Sequence, residues 1–497
     1  MTFSVWSEWK GLPTWYNGRK WRFSAAGKEA FKMTECYEQL SFSFYKHKEL
    51  VADFKGGAIT SDAGLLAVRQ LAEELGWLRE AAGILTDPRD AARTEHTILE
   101  MLQQRIFGLI GGYEDCNDHD RLRDDPVLKM VADRSPDADP LASQPTLSRF
   151  ENWVSAREVA QLNRLLVQHY IRLFRRRKPK EIILDVDPTD DPCHGRQQLA
   201  LFNGFYNQYM YFPLLVYERA TGLLLGARLR AGNAHSATGV VGLLRPMVRS
   251  LKRAFPNVKI MVRADAGFAV PQLYEFCERE GLGYLIGIPT NSAFDERTEW
   301  ALTWLSERFA KEPRARRWVG GFRHQAHTWR RPRRILYKAE VNSEGTNRRF
   351  VVTNLSRLPL HLYPVYSDRG TAETFIDQFK NALKADRLSC HRYVANAFRL
   401  QMYALTYNLV RVFGTLLGGT PLENASIETI RSRLLKVGAR IQSTVRRVWV
   451  HMASGFPLRE VLALVLERIR VNINSEWDHP LSQRPAPSLS LAWPPSG

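Results

Sequence analysis

The chain has 497 residues, 44% of them hydrophobic and 25% charged, and its formal net charge is +18. This length allows two to four domains with a large buried core. The surplus of Lys and Arg favours a polyanionic partner, with nucleic acid ahead of an anionic membrane. No run of about 18 apolar residues is present, which excludes a membrane-spanning helix. The five scattered cysteines contain no C-x-x-C pair, which argues against a disulfide framework or Cys-based zinc site and favours a reducing cytosol.

The first segment of the chain, residues 1–32, is rich in Trp and has no periodic pattern. Met33 then opens the stretch MTECYEQLSFSF, which suits a second translation start. We therefore expect residues 1–32 to be a non-native or disordered extension and the native protein to begin at Met33.

Residues 33–178 are predicted to form a mostly helical DNA-binding region. A first helix is expected to have Ser61 as its N-cap and Gly76 as its stop signal. A second helix is predicted over about residues 93–110, and Pro145 suits the first turn of a third. Both a helix-turn-helix and a plain helical bundle would produce this pattern.

From residue 179 the sequence changes to strands. Three strands are predicted from the segments EIILDVD, YMYFPLLVYE and GLLLGARLR. They are followed by a helix, the strand VKIMVRAD, a second helix and the strand LGYLIGIP. This order predicts an α/β fold with a mixed five-stranded sheet and helices on both faces. It is the order of the ribonuclease-H-like fold.

Changes in composition divide residues 179–497 into segments. We expect five segments: the first part of the core over 179–289, a basic and aromatic β-rich insertion subdomain over 290–360, the second part of the core over 361–418, a C-terminal DNA-binding or dimerisation region over 419–474, and a disordered tail over 475–497. In the insertion, Trp318 and Trp329 lie among arginines. Each could stack on a displaced base or pack inside the subdomain.

The stretch YSDRGTAETFIDQFK, residues 366–380, is predicted to be one amphipathic helix. At 100° per residue, an arc of about 60° holds Tyr366, Arg369, Glu373 and Lys380. The opposite arc is apolar and holds Ala372, Phe375, Ile376, Phe379 and Leu383. Such a polar arc suits a site for a metal and a phosphate, with Glu373 on the metal and Arg369 and Lys380 on the phosphate. A solvated face with helical charge spacing is the alternative interpretation.

Further carboxylates stand at the ends of predicted strands. Asp185 and Asp187 close the first core strand and share one of its faces, and Asp265 closes the fourth strand. The open edge at strand ends is the usual location of chemistry in α/β proteins. Together with Glu373, carboxylates from two strands would supply the oxygen ligands that two Mg²⁺ ions need for displacement at phosphorus.

These residues carry a resemblance to a known family. The chain resembles the DDE transposases of bacterial insertion sequences, whose catalytic domain is ribonuclease-H-like. Residues 366–380 match their Tyr-Arg-Glu-Lys motif, Y-x₂-R-x₃-E-x₆-K, at every position. The chain is most similar to the IS-thirteen-eighty group, through segments such as FKGGAITSDAGLL, LDVDPTDDPCHG, RADAGF and RLLKVGARI. The resemblance extends from about Met33 to beyond Pro457.

The resemblance implies a transposase that binds terminal inverted repeats, cleaves the element ends and joins the freed 3′-OH ends to target DNA. Its implied catalytic and metal-binding residues are Asp187, Asp265 and Glu373. Its implied DNA contacts are Tyr366, Arg369 and Lys380. The implied cofactor is two Mg²⁺ ions, with Mn²⁺ as a substitute. The implied partner is double-stranded DNA, bound by a homodimer or higher oligomer in the bacterial cytoplasm at the nucleoid, with no membrane.

Several alternatives stay open at this point. Asp185 is the alternative to Asp187 as the first ligand. His194 either reaches the site or serves as a hydrogen-bonded loop residue. A ribonuclease-H-like endonuclease or resolvase without strand transfer fits the same residues. So does a non-catalytic DNA-binding protein derived from a transposase, although all three acidic positions still hold acids.

Overall fold

The structure is a computed structural model that describes residues 39–474. Three expectations lie outside these residues: the extension over 1–32, the start at Met33 and the tail over 475–497. Within the described range, no helix is both long and apolar enough to cross a membrane. The cysteines in that range are all free thiols.

The chain divides into two compact units between Gly57 and Ala58. The described part of the first unit is an antiparallel hairpin of β1 (Gln39–Phe42) and β2 (Leu50–Asp53). The second unit contains every element described below.

The second unit opens with a short strand and a group of helices: β3 (Ile59–Thr60), α1 (Leu65–Leu75), α2 (Trp77–Ile84), α3 (Ile98–Gly111), α4 (His119–Leu122), α5 (Pro126–Val131), α6 (Gln144–Trp153) and α7 (Ala156–Leu173). Gly76 closes α1 with a φ of 69°, as predicted, because glycine adopts the left-handed conformation without strain. Thr97 and Glu100 form a capping box at the start of α3. The prediction of Ser61 as an N-cap is wrong, because α1 starts later and the Ser61 hydroxyl donates to Asp62.

The middle of the chain supplies the strands β4 (Glu181–Pro188), β5 (Asp191–Pro192), β6 (Leu201–Asn203), β7 (Gln208–Tyr211), β8 (Leu214–Glu218), β9 (Leu224–Arg228), β10 (Lys259–Ala264), β11 (Gly283–Ile288), β12 (Arg316–His324), β13 (Arg333–Asn342) and β14 (Gly345–Thr353). One mixed eight-stranded sheet has the order β12-β13-β14-β11-β10-β4-β8-β9, and a small sheet has the order β5-β7-β6. All five predicted strands contribute to the large sheet, but the segment YMYFPLLVYE is divided between β7 of the small sheet and β8 of the large one, and the predicted count of five is too small. Strand β14 pairs with β11 and so brings β12 and β13, from the predicted insertion, into the same sheet.

Helices connect and follow these strands: α8 (Val240–Ala254), α9 (Pro271–Arg279), α10 (Ser292–Lys311), α11 (Pro359–Ser367), α12 (Gly370–Asp377), α13 (Tyr393–Thr415), α14 (Ile427–Ile430) and, after the strands β15 (Ala439–Ser443) and β16 (Val448–Met452), α15 (Arg459–Asn474). A π turn over Gln378–Ala382 follows α12. Helix α13 is buried along nearly its whole length. Asn408 on α13 binds both backbone groups of Leu224, which attaches the helix to β9.

Strand β4 lies in the interior of the sheet, parallel to β10 and antiparallel to β8. Its side chains alternate between two faces. Ile183 belongs to an apolar cluster with residues of α11, and Ile182 belongs to the main core on the other side. The molecule is therefore a mixed α/β protein whose sheet is covered on both faces. Because Val186 pairs with Ala264, the residues that follow them end at the same edge.

The C-terminal region packs on the N-terminal helices. Strand β15 pairs with β3, and the Lys436 Nζ atom donates to Asp62 Oδ1 at 2.7 Å. A Cβ atom at Gly64 would lie 2.5 Å from the Leu434 carbonyl oxygen, so only glycine allows this approach. The predicted segments 33–178 and 419–474 thus contact each other directly.

A buried group of charges joins α3, α6 and α13. Glu151 Oε1 accepts from Arg105 Nε at 2.9 Å, and Glu151 Oε2 lies 3.4 Å from Arg399 Nε. All three side chains are almost completely buried. Burial opposes ionisation of Glu151, but the two guanidinium groups prevail and lower its pKa. One carboxylate therefore compensates two buried cations.

We expect Glu151→Gln to lower the free energy of unfolding by about 3–5 kcal/mol, because it leaves Arg105 and Arg399 without a counter-charge. Urea denaturation measures this change. Glu312→Gln removes the partner of Arg316 in an exposed i,i+4 pair and is the matched control, with an expected loss below about 1 kcal/mol. Equal losses in the two variants would contradict the assignment.

Candidate active site

Two carboxylates meet at the carboxyl edge of the central strands. Asp187 lies near the end of β4, and Asp265 directly follows β10. Asp265 Oδ1 accepts a hydrogen bond from the Gly267 amide at 2.9 Å, which fixes its side chain at the start of a short helical turn. Burial raises the pKa of Asp187 to about 7, and the charges of Asp265 and Asp185 add to the effect although Arg369 opposes it. The pair concentrates negative charge at this edge, as predicted from the strand ends.

Asp185 has a different environment from Asp187. Its Oδ1 and Oδ2 atoms accept from Arg263 Nε at 2.6 Å and Nη2 at 2.7 Å. Both side chains are completely buried. Since both oxygens of Asp185 are engaged in a bidentate pair, the geometry favours Asp187 as the first candidate ligand.

The same arginine extends to the turn before α12. Arg263 Nη1 also donates to the Val365 carbonyl and to Asp368 Oδ2, the latter at 3.1 Å. Arg219 binds the same Asp368 oxygen. This network was not predictable from the sequence, because a single arginine in an apolar strand gives no indication of where its side chain points. The only available signal was Asp185, which lies directly opposite Arg263 in the strand register.

Residues 366–380 do not form the single helix that the sequence predicts. Tyr366 lies in α11, Asp368 and Arg369 form a turn, and Lys380 lies in the π turn after α12. The apolar arc does pack inward: its buried members are Ala372, Phe375, Phe379 and Leu383. The Phe375 ring lies 5.7 Å from the ring of Tyr217 on β8. Helix α12 is therefore seated against the central sheet.

Arg369 is shared between two candidate acids. Its Nη1 atom donates to Asp187 Oδ2 at 2.5 Å, and its Nη2 atom lies 4.0 Å from Glu373 Oε1. The Glu373 side chain is 71% exposed. The guanidinium thus links the Asp187 carboxylate to the first turn of α12, with Glu373 at the solvent side.

Lys380 is engaged with a carboxylate in the loop that follows β4. Its Nζ atom donates to Asp190 Oδ1 at 2.6 Å. The sequence contains no indication of this contact, because Asp190 lies in the loop past the end of the predicted strand. The π turn moves Lys380 off the regular helical position that the motif spacing implied, because a π turn holds more residues per turn.

Tyr366 is mostly enclosed. A Cβ atom at Gly287 would lie 2.6 Å from the Tyr366 hydroxyl oxygen, so the glycine of β11 makes room for the phenol. Burial raises the pKa of Tyr366, and the charge of Asp265 contributes. The hydroxyl therefore lies near the acidic edge, and the ring supports the end of α11. The glycine within an apolar strand was the available sequence signal.

The donor set can be tested against a divalent cation. Hard cations prefer carboxylate oxygens, and Asp187 and Asp265 place two carboxylates at the ends of adjacent parallel strands. The chemistry of Asp187 and Asp265 therefore fits such an ion. Glu373 is joined to them only through Arg369. Within residues 39–474, no three His, Cys, Asp or Glu side chains lie close enough to form a ready metal site. The structure thus brings two of the three predicted ligands together.

The remaining predicted residues have separate locations. His194 is exposed on the loop after β5. Trp329 is buried with its ring 5.7 Å from Tyr274, so it packs inside the fold and is not available for a base. Trp318 is exposed, and its ring lies 5.5 Å from Trp300 and 5.6 Å from Trp304 on α10.

In this mixed α/β fold the two carboxylates lie at adjacent parallel strand ends, the edge where open α/β sheets bind their ligands. A family model described as "Transposase DDE domain group 1" matches residues 42–473, and the chain belongs to this family. Membership supports a transposase function, an enzyme that acts on DNA, and the general use of divalent metal ions by DDE transposases. The search of curated proteins found no match.

The two neighbouring aspartates of β4 should respond differently to neutralisation. Asp185→Asn is expected to lower the free energy of unfolding at pH 8 by about 3–5 kcal/mol, since Arg263 is then buried without a counter-charge. Asp187→Asn is expected to leave stability unchanged or higher. Burial raises the pKa of both aspartates, so the ionised form of each is penalised as pH rises toward 7, and an amide removes that penalty in both variants. The contrast comes from their partners: the Arg369 side chain is 18% exposed and keeps contact with solvent, whereas Arg263 is fully buried. Denaturation of both variants measures the contrast, and a larger loss for Asp187→Asn would refute it.

Proposed function

We propose that this protein binds the terminal inverted repeats of an insertion sequence of the IS-thirteen-eighty group. It cleaves DNA at the element ends and joins the freed 3′-OH ends to target DNA. The observation that carries the proposal is the contact of Arg369, from the Tyr-Arg-Glu-Lys motif, with Asp187 beside Asp265. Family membership and the net charge of +18 support it.

The strand order supports a ribonuclease-H-like core. Five adjacent strands run in the order β9-β8-β4-β10-β11. The first three are antiparallel neighbours, and β10 and β11 continue parallel to β4. This is the arrangement that three hairpin-connected strands followed by two helix–strand units would give. Strands β12–β14 then extend that core at the β11 edge.

Asp187, Asp265 and Glu373 are the residues that would hold two Mg²⁺ ions, with Mn²⁺ as a substitute. When bound, such a pair of ions supplies nucleophile activation and charge stabilisation at the leaving oxygen. For Asp187 to serve, its Oδ2 atom must be released from Arg369. Glu373 is exposed and linked to Asp187 only through Arg369, so it would have to move toward the edge to serve as a ligand.

The basic residues supply the contacts to DNA phosphates. Arg369 would exchange Asp187 for phosphate oxygens, which the N–H groups of its guanidinium can contact in pairs. Lys380 would exchange Asp190 in the same way. Tyr366 lies near Asp265 with its hydroxyl against Gly287, so it would contact DNA beside the acidic edge while its ring supports the end of α11. We propose that two or more subunits act together on two ends, in the bacterial cytoplasm at the nucleoid.

The three acids can be tested together. We expect Asp187→Asn, Asp265→Asn and Glu373→Gln each to abolish Mg²⁺-dependent cleavage of a labelled element end while keeping end binding, because each removes a ligand oxygen and not a DNA contact. Asp377→Asn on the exposed side of α12 is the matched control and should cleave normally. Full cleavage by any of the three would remove that residue from the site.

A phosphate contact of Lys380 predicts a salt-dependent defect. Lys380→Ala should weaken end binding and reduce the slope of log affinity against log salt by about 1. Fluorescence anisotropy at several salt concentrations measures the slope. Lys311→Ala, an exposed lysine at the end of α10, is the control, and an unchanged slope for Lys380→Ala would place this lysine off the DNA.

A strand-transfer assay separates the proposal from an endonuclease or resolvase. Pre-cut element ends are incubated with a target plasmid and Mg²⁺, and joined products are counted. Cleavage without joining indicates a nuclease. Binding without cleavage indicates a non-catalytic DNA-binding protein, for which the separation of Glu373 from the two aspartates would be the structural reason.

A further inference from the structure

A short hairpin beside the candidate active site exposes aromatic rings to solvent. This aromatic hairpin, residues 201–211, consists of β6, β7 and the turn between them. Its exposed aromatic side chains are Phe202, Phe205, Tyr206 and Tyr209. Phe205 at the tip is 89% exposed. A contiguous exposed group of large rings is informative about binding, whereas a single exposed apolar residue is not.

Specific hydrogen bonds hold the backbone of the aromatic hairpin in place. Asn203 Oδ1 accepts from the Phe205 amide at 3.0 Å and from the Tyr206 amide at 3.3 Å. Its Nδ2 atom donates to the Gly232 carbonyl at 2.7 Å, which ties the turn to the body of the fold. Because the backbone of the turn is held this way, the ring of Phe205 is presented outward in a defined place.

The hairpin is also joined to the candidate site. Strand β7 pairs with β5, directly after the loop that carries Asp190. Gln208 Nε2 donates to Asp190 Oδ2 at 3.2 Å, and Lys380 occupies the other oxygen of the same carboxylate. Burial raises the pKa of Tyr206, and the charges of Asp190, Asp187 and Asp265 contribute. The hairpin therefore stands at the rim of the acidic edge.

A cleft of about 610 Å³ opens beside the hairpin. Tyr209 lines it together with Arg196, Gln198 and His391. Its volume lies in the range of small-ligand sites. One aromatic face, one guanidinium and amide and imidazole groups are the chemistry that recognises a nucleobase and its phosphate.

A fully paired duplex would not use these rings, because it presents phosphates outward and keeps its bases stacked. Bases that have left the stack offer faces that pair with aromatic side chains. We propose that the aromatic hairpin and its cleft bind unpaired bases of a DNA strand at the candidate active site, with Phe205 and Tyr209 as the stacking residues. The location at the active site rests on the proposed function, and the binding of unpaired bases does not.

The test uses the full chain without Mg²⁺, a labelled single-stranded oligonucleotide, and a blunt duplex of the same sequence. The double variant Phe205→Ala with Tyr209→Ala should lose about fivefold to a hundredfold in affinity for the single strand, with duplex affinity nearly unchanged. Phe205→Trp should retain single-strand binding, because it keeps a stacking face. Leu358→Ala, at an exposed apolar residue before α11, is the control and should have no effect.

An equal loss for single strand and duplex, or no loss, would overturn the inference. A change in oligomeric state of the double variant, with single-strand affinity intact, would also overturn it and identify the hairpin as a protein contact. End cleavage by a wild-type chain that does not bind the single strand would defeat only the hairpin proposal. Hairpin-dependent binding without end cleavage would defeat only the proposed function.

Discussion

Arg263 lies inside the central sheet, where it pairs with Asp185 on the neighbouring strand and reaches the Val365 carbonyl and Asp368 beyond it. These contacts hold the turn between α11 and α12 against the sheet. Arg369 reaches Asp187 from that turn, and Glu373 lies in the first turn of the helix α12 that follows. A buried ion pair tolerates no partial replacement, because either member alone is a charge in a medium of low dielectric. The geometry of the candidate site at the solvent-exposed sheet edge therefore depends on the Arg263–Asp185 pair, which is buried and out of reach of a substrate.

Two acids of the candidate site are paired with basic residues of the Tyr-Arg-Glu-Lys motif. Arg369 is bound to Asp187, and Lys380 is bound to Asp190. Each pair joins a residue of the basic motif to an acid on or after β4. Under the proposed function, a phosphate that takes the guanidinium releases the carboxylate for a cation, so that binding of the two ligands is mutually favourable. By linkage, each ligand would raise the affinity for the other by the same factor.

The local parts of this fold were predictable from the sequence. The helix stop at Gly76, the strand and helix order after residue 179, and the buried arc with Phe375 depend on short-range patterns, and the strand ends brought Asp187 and Asp265 together. The eight-stranded sheet was not predictable, because the pairing of β14 with β11 is a choice between distant segments. The turn at Arg369 was not predictable either. Arg369 keeps helical backbone angles (φ −53°, ψ −28°), so the interruption needs no residue that disfavours a helix at this position. The partner of a buried arginine is likewise a property of the assembled sheet.

The pairing of β3 with β15 affects how the chain comes to be folded. Asp62 and Lys436 are separated by 374 positions in sequence, and the close seat of Gly64 on Leu434 depends on the same late segment. During synthesis the first helices emerge long before their covering residues exist. Contacts between residues so far apart in sequence slow folding. Until they form, the apolar surface of the N-terminal helices is exposed and can associate with other chains. The packing of the N-terminal helices is thus completed only after nearly the whole mRNA has been translated.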